Sequence, residues 1–174
     1  MSRFDLKKGE RFSFKKDEGL NNLTVKDEEL VVSFLDMVEN HKMIVENSGL
    51  LTVAALKQLK PENKKVVSIL SGGNMDIITM SSVVQQGLIF RDRIFTVSVL
   101  LPDKPGELSR VAAVIAKESG NVIKLEHNQF VSTNRSAAVE LRITLEAFGT
   151  DHKNQIIAAL EREQYQPKLI ATSI

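Results

Sequence analysis

Cysteine and tryptophan are missing from this sequence, tyrosine occurs once, proline four times, and acidic and basic side chains nearly cancel. Each shortage removes a class of explanation. Without cysteine there are no disulfides and no thiolate metal sites, which suits a reducing cytoplasm. A formal net charge of +1 supplies no long-range attraction to nucleic acid or to an anionic membrane. One Tyr and eight scattered Phe leave few rings on which bases could stack. No stretch approaches the roughly 18 consecutive apolar residues of a membrane span, and the first residues lack the apolar core of a secretory signal. The reading is of a cytoplasmic chain with neither a nucleic-acid nor a membrane partner. What is present is ordinary for a globular protein: 43% hydrophobic and 26% charged residues over 174 positions, enough for one medium domain or two small ones.

The chain changes character along its length. Residues 1–23 are polar and Lys-rich, with Gly9, Gly19 and Asn21-Asn22 breaking any period; this N-terminal segment reads as poorly ordered or as a lone strand. Residues 24–90 read as helices around one strand. Asp27, Glu28 and Glu29 suit a helix start, and Leu30, Phe34, Leu35 and Val38 form its stripe. A second helix starts near Ser48, carries Leu51, Ala54, Ala55 and Leu59, and stops at Pro61 and Asn63. Lys65 to Leu70 is a β-branched run that fits a strand buried on both faces. The turn Ser71-Gly72-Gly73-Asn74 follows, and then a third helix that Gly87 ends. This is an α/β unit, but one strand makes no sheet.

Residues 93–174 are self-consistent. Phe95, Val97, Val99 and Leu101 alternate with Thr96 and Ser98, the period of a half-buried strand. The turn Asp103-Lys104-Pro105-Gly106 precedes a helix with the stripe Leu108, Val111, Ala112 and Ile115, stopped by Gly120 and Asn121. Val122 to Glu126 and the alternating Val139 to Leu145 are further strands. Asp151 caps a helix built on Ile156, Ala159 and Leu160, and a short strand closes at Lys168 to Ile170. The fold class is α+β: a ferredoxin-like βαββαβ domain preceded by an incomplete α/β segment.

Chemistry-bearing patterns are few. His41, His127 and His152 fall in separate elements without metal-ligand spacing, and no nucleophile elbow or phosphate-binding loop occurs. Two turns stand out. At Ser71 to Asn74 a strand leads through two glycines into a helix, a place where backbone can approach a ligand closely, although such turns are also simply turns. At Asp103 to Leu108 a free helix N-terminus could take an amino-acid carboxylate and Asp103 its ammonium group. A capped helix with no ligand satisfies the same spacing equally well.

Three runs in order carry a resemblance: His41-Lys42-Met43-Ile44-Val45-Glu46-Asn47-Ser48-Gly49, Ser71-Gly72-Gly73-Asn74-Met75-Asp76 and Leu101-Pro102-Asp103-Lys104-Pro105-Gly106-Glu107-Leu108. Together they resemble the C-terminal part of threonine ammonia-lyase (threonine dehydratase) in the form that ends in an ACT domain, over roughly Leu23 to Ile170. The resemblance implies that 24–90 is the end of a fold-type-II catalytic domain using pyridoxal 5'-phosphate (PLP), and that 93–174 is the regulatory ACT domain. It implies that Ser71 bonds the pyridine nitrogen of PLP, that Gly72, Gly73 and Asn74 support that edge, and that Glu46 lies near the ring. It also implies an amino-acid effector, isoleucine or valine, held between copies by Asp103, Pro105, Gly106, Glu107 and Leu108 of one and Asn121, Val122 and Ile123 of another, in a homo-oligomer formed through ACT sheets.

The family's cofactor-bearing lysine sits in an S-F-K-x-R-G-A stretch, absent here as such; Ser13-Phe14-Lys15 is followed by Lys16-Asp17-Glu18. The expectation is a regulatory piece that binds no PLP by itself and does not deaminate threonine alone. The alternatives are an active threonine or serine ammonia-lyase whose missing parts come from elsewhere, and an ACT module that only dimerises.

Overall fold

The computed structural model describes residues 23–59, 65–128 and 138–172, divided into two units at Gly87/Leu88. The expectations for residues 1–22, for the helix stop at Pro61 and Asn63, and for Lys15 lie outside the described residues.

In the first unit, helix α1 (Asp27–Asp36) opens with its three acidic residues, and Glu29 reaches back to accept a hydrogen bond from the Lys26 N–H at 2.7 Å. The stripe is as expected: Phe34 and Leu35 are buried, with Leu30 and Val38 packed partly buried beside the core. The helix widens into a π-helical turn, Met37–His41, and Lys42 at φ 56° ends it. Helix α2 (Asn47–Leu56) begins where expected but stops before Leu59, which is exposed.

Two expectations fail here. Lys65–Leu70 forms no strand, because the described residues supply no neighbour to pair with, and Val67 and Ile69 stand in solvent. Nor does Gly87 end the third helix: α3 runs Ile77–Phe90. A Cβ at Gly87 would come within 2.6 Å of Leu35 Cδ1, so the glycine allows close packing of α3 against α1 rather than termination. Asp76 starts α3 by accepting from the Thr79 N–H at 2.9 Å. The Thr79 hydroxyl, which also donates to Asp76, holds that carboxyl below its ordinary range.

In the second unit, strands β1 (Ile94–Pro102), β2 (Asn121–Asn128), β3 (Ala138–Glu146) and β4 (Lys168–Ile170) form one sheet in the order β2-β3-β1-β4, every pair antiparallel. Helices α4 (Glu107–Lys117) and α5 (Thr150–Arg162) supply the two crossovers, giving the expected ferredoxin-like βαββαβ topology. Val97, Val99, Leu141, Ile143 and Leu145 form a dry face under Val111, Ile115, Ile156 and Leu160. Each fully buried side chain of this size contributes about 1.5–3 kcal/mol.

The helix stripes need adjustment. On α4, Leu108 and Ala112 are exposed, and Val114 instead joins Val111 and Ile115 in the core. On α5, Gly149 occupies the capping position and Asp151 lies in the first turn. Strand β1 is also not half-buried. Thr96 and Ser98 on its second face are 6% and 9% exposed. That face is held by hydroxyls: Thr96 and Thr144 meet at 3.0 Å, and Ser98 donates to Glu140 at 2.7 Å. The Ser98 hydroxyl first, and the Arg142 guanidinium at 3.1 Å second, hold the Glu140 carboxyl below the ordinary glutamate value of 4.5.

A carboxyl with a depressed folded-state pKa contributes stability that is present above its unfolded value and lost as pH falls through the folded one. Urea midpoints compared at pH 6 and pH 3 are therefore expected to fall further for the wild-type chain than for Glu140→Gln; parallel falls would refute this role for Glu140.

Candidate functional site

In the first unit, the chain reverses at Ser71–Asn74 and meets the start of α2. Glu46, extended and immediately before α2, donates its N–H to the Gly72 carbonyl at 3.3 Å, and its carboxylate accepts from the Ser48 hydroxyl at 2.6 Å. Gly72 has φ +80°, and a Cβ there would fall within the Glu46 carboxylate. A Cβ at Gly49 would collide with the Ser71 carbonyl, so α2 can approach the turn only because residue 49 has no side chain. The fold thus brings Glu46 together with Ser71, Gly72 and Gly73, while Ser71 to Asn74 stay exposed. Ser48 and Gly49 belong to this cluster, and sequence reasoning assigned them no role. A glycine in the first turn of a helix was the available signal.

In the second unit, the β1–α4 loop is a tight turn in which Lys104 N–H donates to Pro102 C=O at 2.8 Å. Gly106, at φ +93°, precedes α4, and a Cβ there would meet nothing within 4 Å. Asp103, Pro105, Gly106 and Leu108 are exposed around this open space. Glu107 is already engaged, accepting from Arg110 at 3.2 Å and from the Tyr165 hydroxyl at 3.3 Å. Burial, followed by the Glu107 charge, pushes the Tyr165 hydroxyl above its ordinary pKa.

Asn121, Val122 and Ile123 lie elsewhere. Asn121 and Ile94 both face Glu146, whereas Pro102, at the loop, faces Ala138. Eight residue steps of strand separate the two groups, roughly 26 Å at about 3.3 Å per residue. One chain does not bring them together. Antiparallel pairing of two β2 edges would set Asn121 of one copy beside Asn128 of the other, at the loop end of the sheet, with β2 and β3 still between it and β1. Among the described residues strand β2 is an edge of the sheet with Val122, Ile123 and Leu125 exposed, and its ladder shifts register between Val122 and Lys124.

His152 is a structural strap. The Phe148 N–H donates to Nδ1 at 3.0 Å, which leaves Nε2 as the donor to the Glu118 carbonyl at 2.6 Å. The Phe148 ring stacks on it at 4.8 Å. His41 and His127 are exposed.

No family model matches the chain. L-threonine ammonia-lyase of Geobacter sulfurreducens is 33% identical over 143 residues, 81% of this chain and 36% of that protein. L-threonine ammonia-lyase of Thermotoga maritima is 26% identical over 149 residues, 85% of this chain and 37% of that protein. Among solved structures, the ACT domain of prephenate dehydrogenase from Bacillus anthracis overlaps 42% of this chain and 99% of its own length, with 23% identity and a TM-score of 0.33. The chain spans little more than a third of the relatives it matches, and is related to their C-terminal portion.

Removing the glycine at the α2–turn contact tests the first cluster. In an open helix Gly→Ala stabilises by about 1 kcal/mol; Gly49→Ala is expected instead to cost about 1–3 kcal/mol by overpacking. Urea unfolding would measure it, and a net stabilisation would contradict the close approach.

Proposed function

We propose that this chain, a relative of the C-terminal portion of the L-threonine ammonia-lyases, is the effector-sensing part of an enzyme that deaminates threonine, in the cytoplasm. The observation that carries this reading is the open loop Asp103–Leu108. It stands 26 Å or so along the sheet from the residues expected to complete its site, at the end of the sheet toward which an antiparallel β2–β2 pair would carry a second copy's set.

In such a pair, the free N–H groups at the start of α4 receive the carboxylate of an amino acid. Asp103 takes the ammonium group, and Leu108 with the partner's Val122 and Ile123 encloses an apolar side chain. That composition suits isoleucine or valine, the effectors that the resemblance implies. Binding at a junction between copies links occupancy to the arrangement of the sheets, which is how such a domain regulates what it is joined to.

Toward PLP, the described residues offer the Ser71 edge: the Ser71 hydroxyl would hold the pyridine nitrogen, with Gly72, Gly73, Asn74 and Glu46 beside it. When bound in the whole enzyme, the cofactor serves as the electron sink for eliminating the threonine hydroxyl. A hydroxyl partner at the ring nitrogen leaves it unprotonated and the sink moderate. By this reading the chain alone is not catalytic.

Calorimetry with isoleucine, valine, threonine and serine tests the sensing reading. Isoleucine or valine is expected to bind, with Asp103→Ala weakening affinity at least tenfold, a loss typical of one charge-assisted hydrogen bond. A stable dimer that gives no heat with any of the four at millimolar concentration would reduce the domain to a dimerisation module. Cofactor absorbance developing on addition of PLP, and lost in Lys15→Ala, would instead establish the active-lyase reading.

A further inference from the structure

Helix α5 ends in a left-handed turn that carries one ring to the β1–α4 loop. Gln164 takes φ 67°, its N–H donates to the Glu161 carbonyl at 2.9 Å, and the Tyr165 N–H donates to the Leu160 carbonyl at 3.1 Å. Tyr165, fixed in this way, lays its half-buried ring against the core beneath the helices. Its hydroxyl donates to Glu107 Oε2 at 3.3 Å, joining residues 58 positions apart. The second carboxylate oxygen, Oε1, accepts from Arg110 at 3.2 Å. The two holds are unequal. Arg110 is 75% exposed, so its pairing is screened and weak, whereas the Tyr165 ring is anchored by the helix end and by packing. The Glu107 side chain is only 15% exposed, although it opens a helix that starts in open space at Gly106.

Where that carboxylate lies decides what the start of α4 can accept. A carboxylate in the first turn is itself drawn to the free N–H groups there. An unrestrained Glu107 would compete for them with any incoming anion and repel it. We propose that Tyr165 is a positioning residue of the effector loop: its hydroxyl holds the Glu107 carboxylate back from the open space at Gly106 and leaves the start of α4 to the effector's carboxylate. This rests on the reading of Asp103–Leu108 as an effector site, and it alters one part of that site, since Glu107 supports the loop from behind instead of touching the ligand. It also adds the α5–β4 turn to the site. From Tyr165 the chain passes through Gln166 and Pro167 into β4, which pairs with β1 on the side away from β3. Burial first and the Glu107 charge second keep the Tyr165 hydroxyl above its ordinary pKa, so it remains a donor through the neutral range.

Calorimetry with isoleucine and valine on the full chain and its variants tests the assignment. Tyr165→Phe keeps the ring and removes only the hydroxyl; it is expected to weaken binding about fivefold, the worth of one net hydrogen bond. Adding Glu107→Gln to Tyr165→Phe is expected to recover most of that loss, because an uncharged side chain needs no restraint. A hydroxyl that served only folding would not be rescued in this way. Tyrosine occurs once in the chain, so its alkaline absorbance titration reads Tyr165 alone. Without any ligand, that titration is expected to move to lower pH in Glu107→Gln, and an unmoved curve would overturn the contact and the proposal with it. Where the wild-type chain binds isoleucine or valine, equally tight binding by Tyr165→Phe, or no rescue by Glu107→Gln, overturns the proposal alone. A wild-type chain that binds neither overturns the reading of the loop as an effector site, and this proposal falls with it even if the titration moves.

Discussion

The second unit depends on the antiparallel pairing of β1 with β3. Nine residue pairs run without interruption from Ile94↔Glu146 to Pro102↔Ala138. Because successive strand residues face opposite ways, this single register puts Val97, Val99, Leu141, Ile143 and Leu145 on one face and Thr96, Ser98, Glu140 and Thr144 on the other. A slip of one residue would exchange the faces, exposing the core and burying Glu140 beneath α4 and α5 without partners. The hydroxyl pair Thr96–Thr144 and the Ser98–Glu140–Arg142 chain work against that slip, since they close only in the observed register.

The same pairing sets the geometry of the candidate effector site. It fixes the β1–α4 loop at one end of the sheet and the start of β2 at the other, so a ligand that needs both groups must lie between two copies. Among the described residues, the β2 edge with its exposed Val122, Ile123 and Leu125 is where a second copy could pair. The far end of the sheet is closed differently, by His152 strapping Phe148 to the end of α4.

The first unit is organised around close approach. Gly49 and Gly87 admit a carbonyl and a leucine side chain where any Cβ would intrude, and Gly72 takes a left-handed conformation against Glu46. These contacts hold the Ser71 turn in place although the extended segment leading into it pairs with no strand among the described residues. The unit has a core around Phe34 and Leu50, and Val67, Ile69, Ile77 and Ile78 are exposed.

Where the period was strict, the elements were legible in the sequence. The alternation of β3, the α1 stripe, the α5 core residues and the order βαββαβ all emerge from spacing, because burial of one face leaves a regular mark. Gly87 was misread, since a glycine that ends a helix and one that admits a neighbouring helix look alike in one dimension. The α4 stripe was misread by a fraction of a turn, because Ala112 is apolar enough to count yet faces outward. Of the Ser71 cluster, the turn stood out by its two glycines and Glu46 was named from resemblance; Ser48 and Gly49 were not, because their roles arise from residues distant in the chain.

The sequence by itself determined local conformation and which residues are apolar: periodicity and turn chemistry are properties of neighbouring residues. Only the tertiary structure decided that Thr96 and Ser98 are buried, that Lys65–Leu70 pairs with no strand among the described residues, and that Asp103 and Asn121 lie at opposite ends of one sheet. Those outcomes depend on which strands are available to pair, and in what register, and pairing joins residues whose separation along the chain carries no local signal.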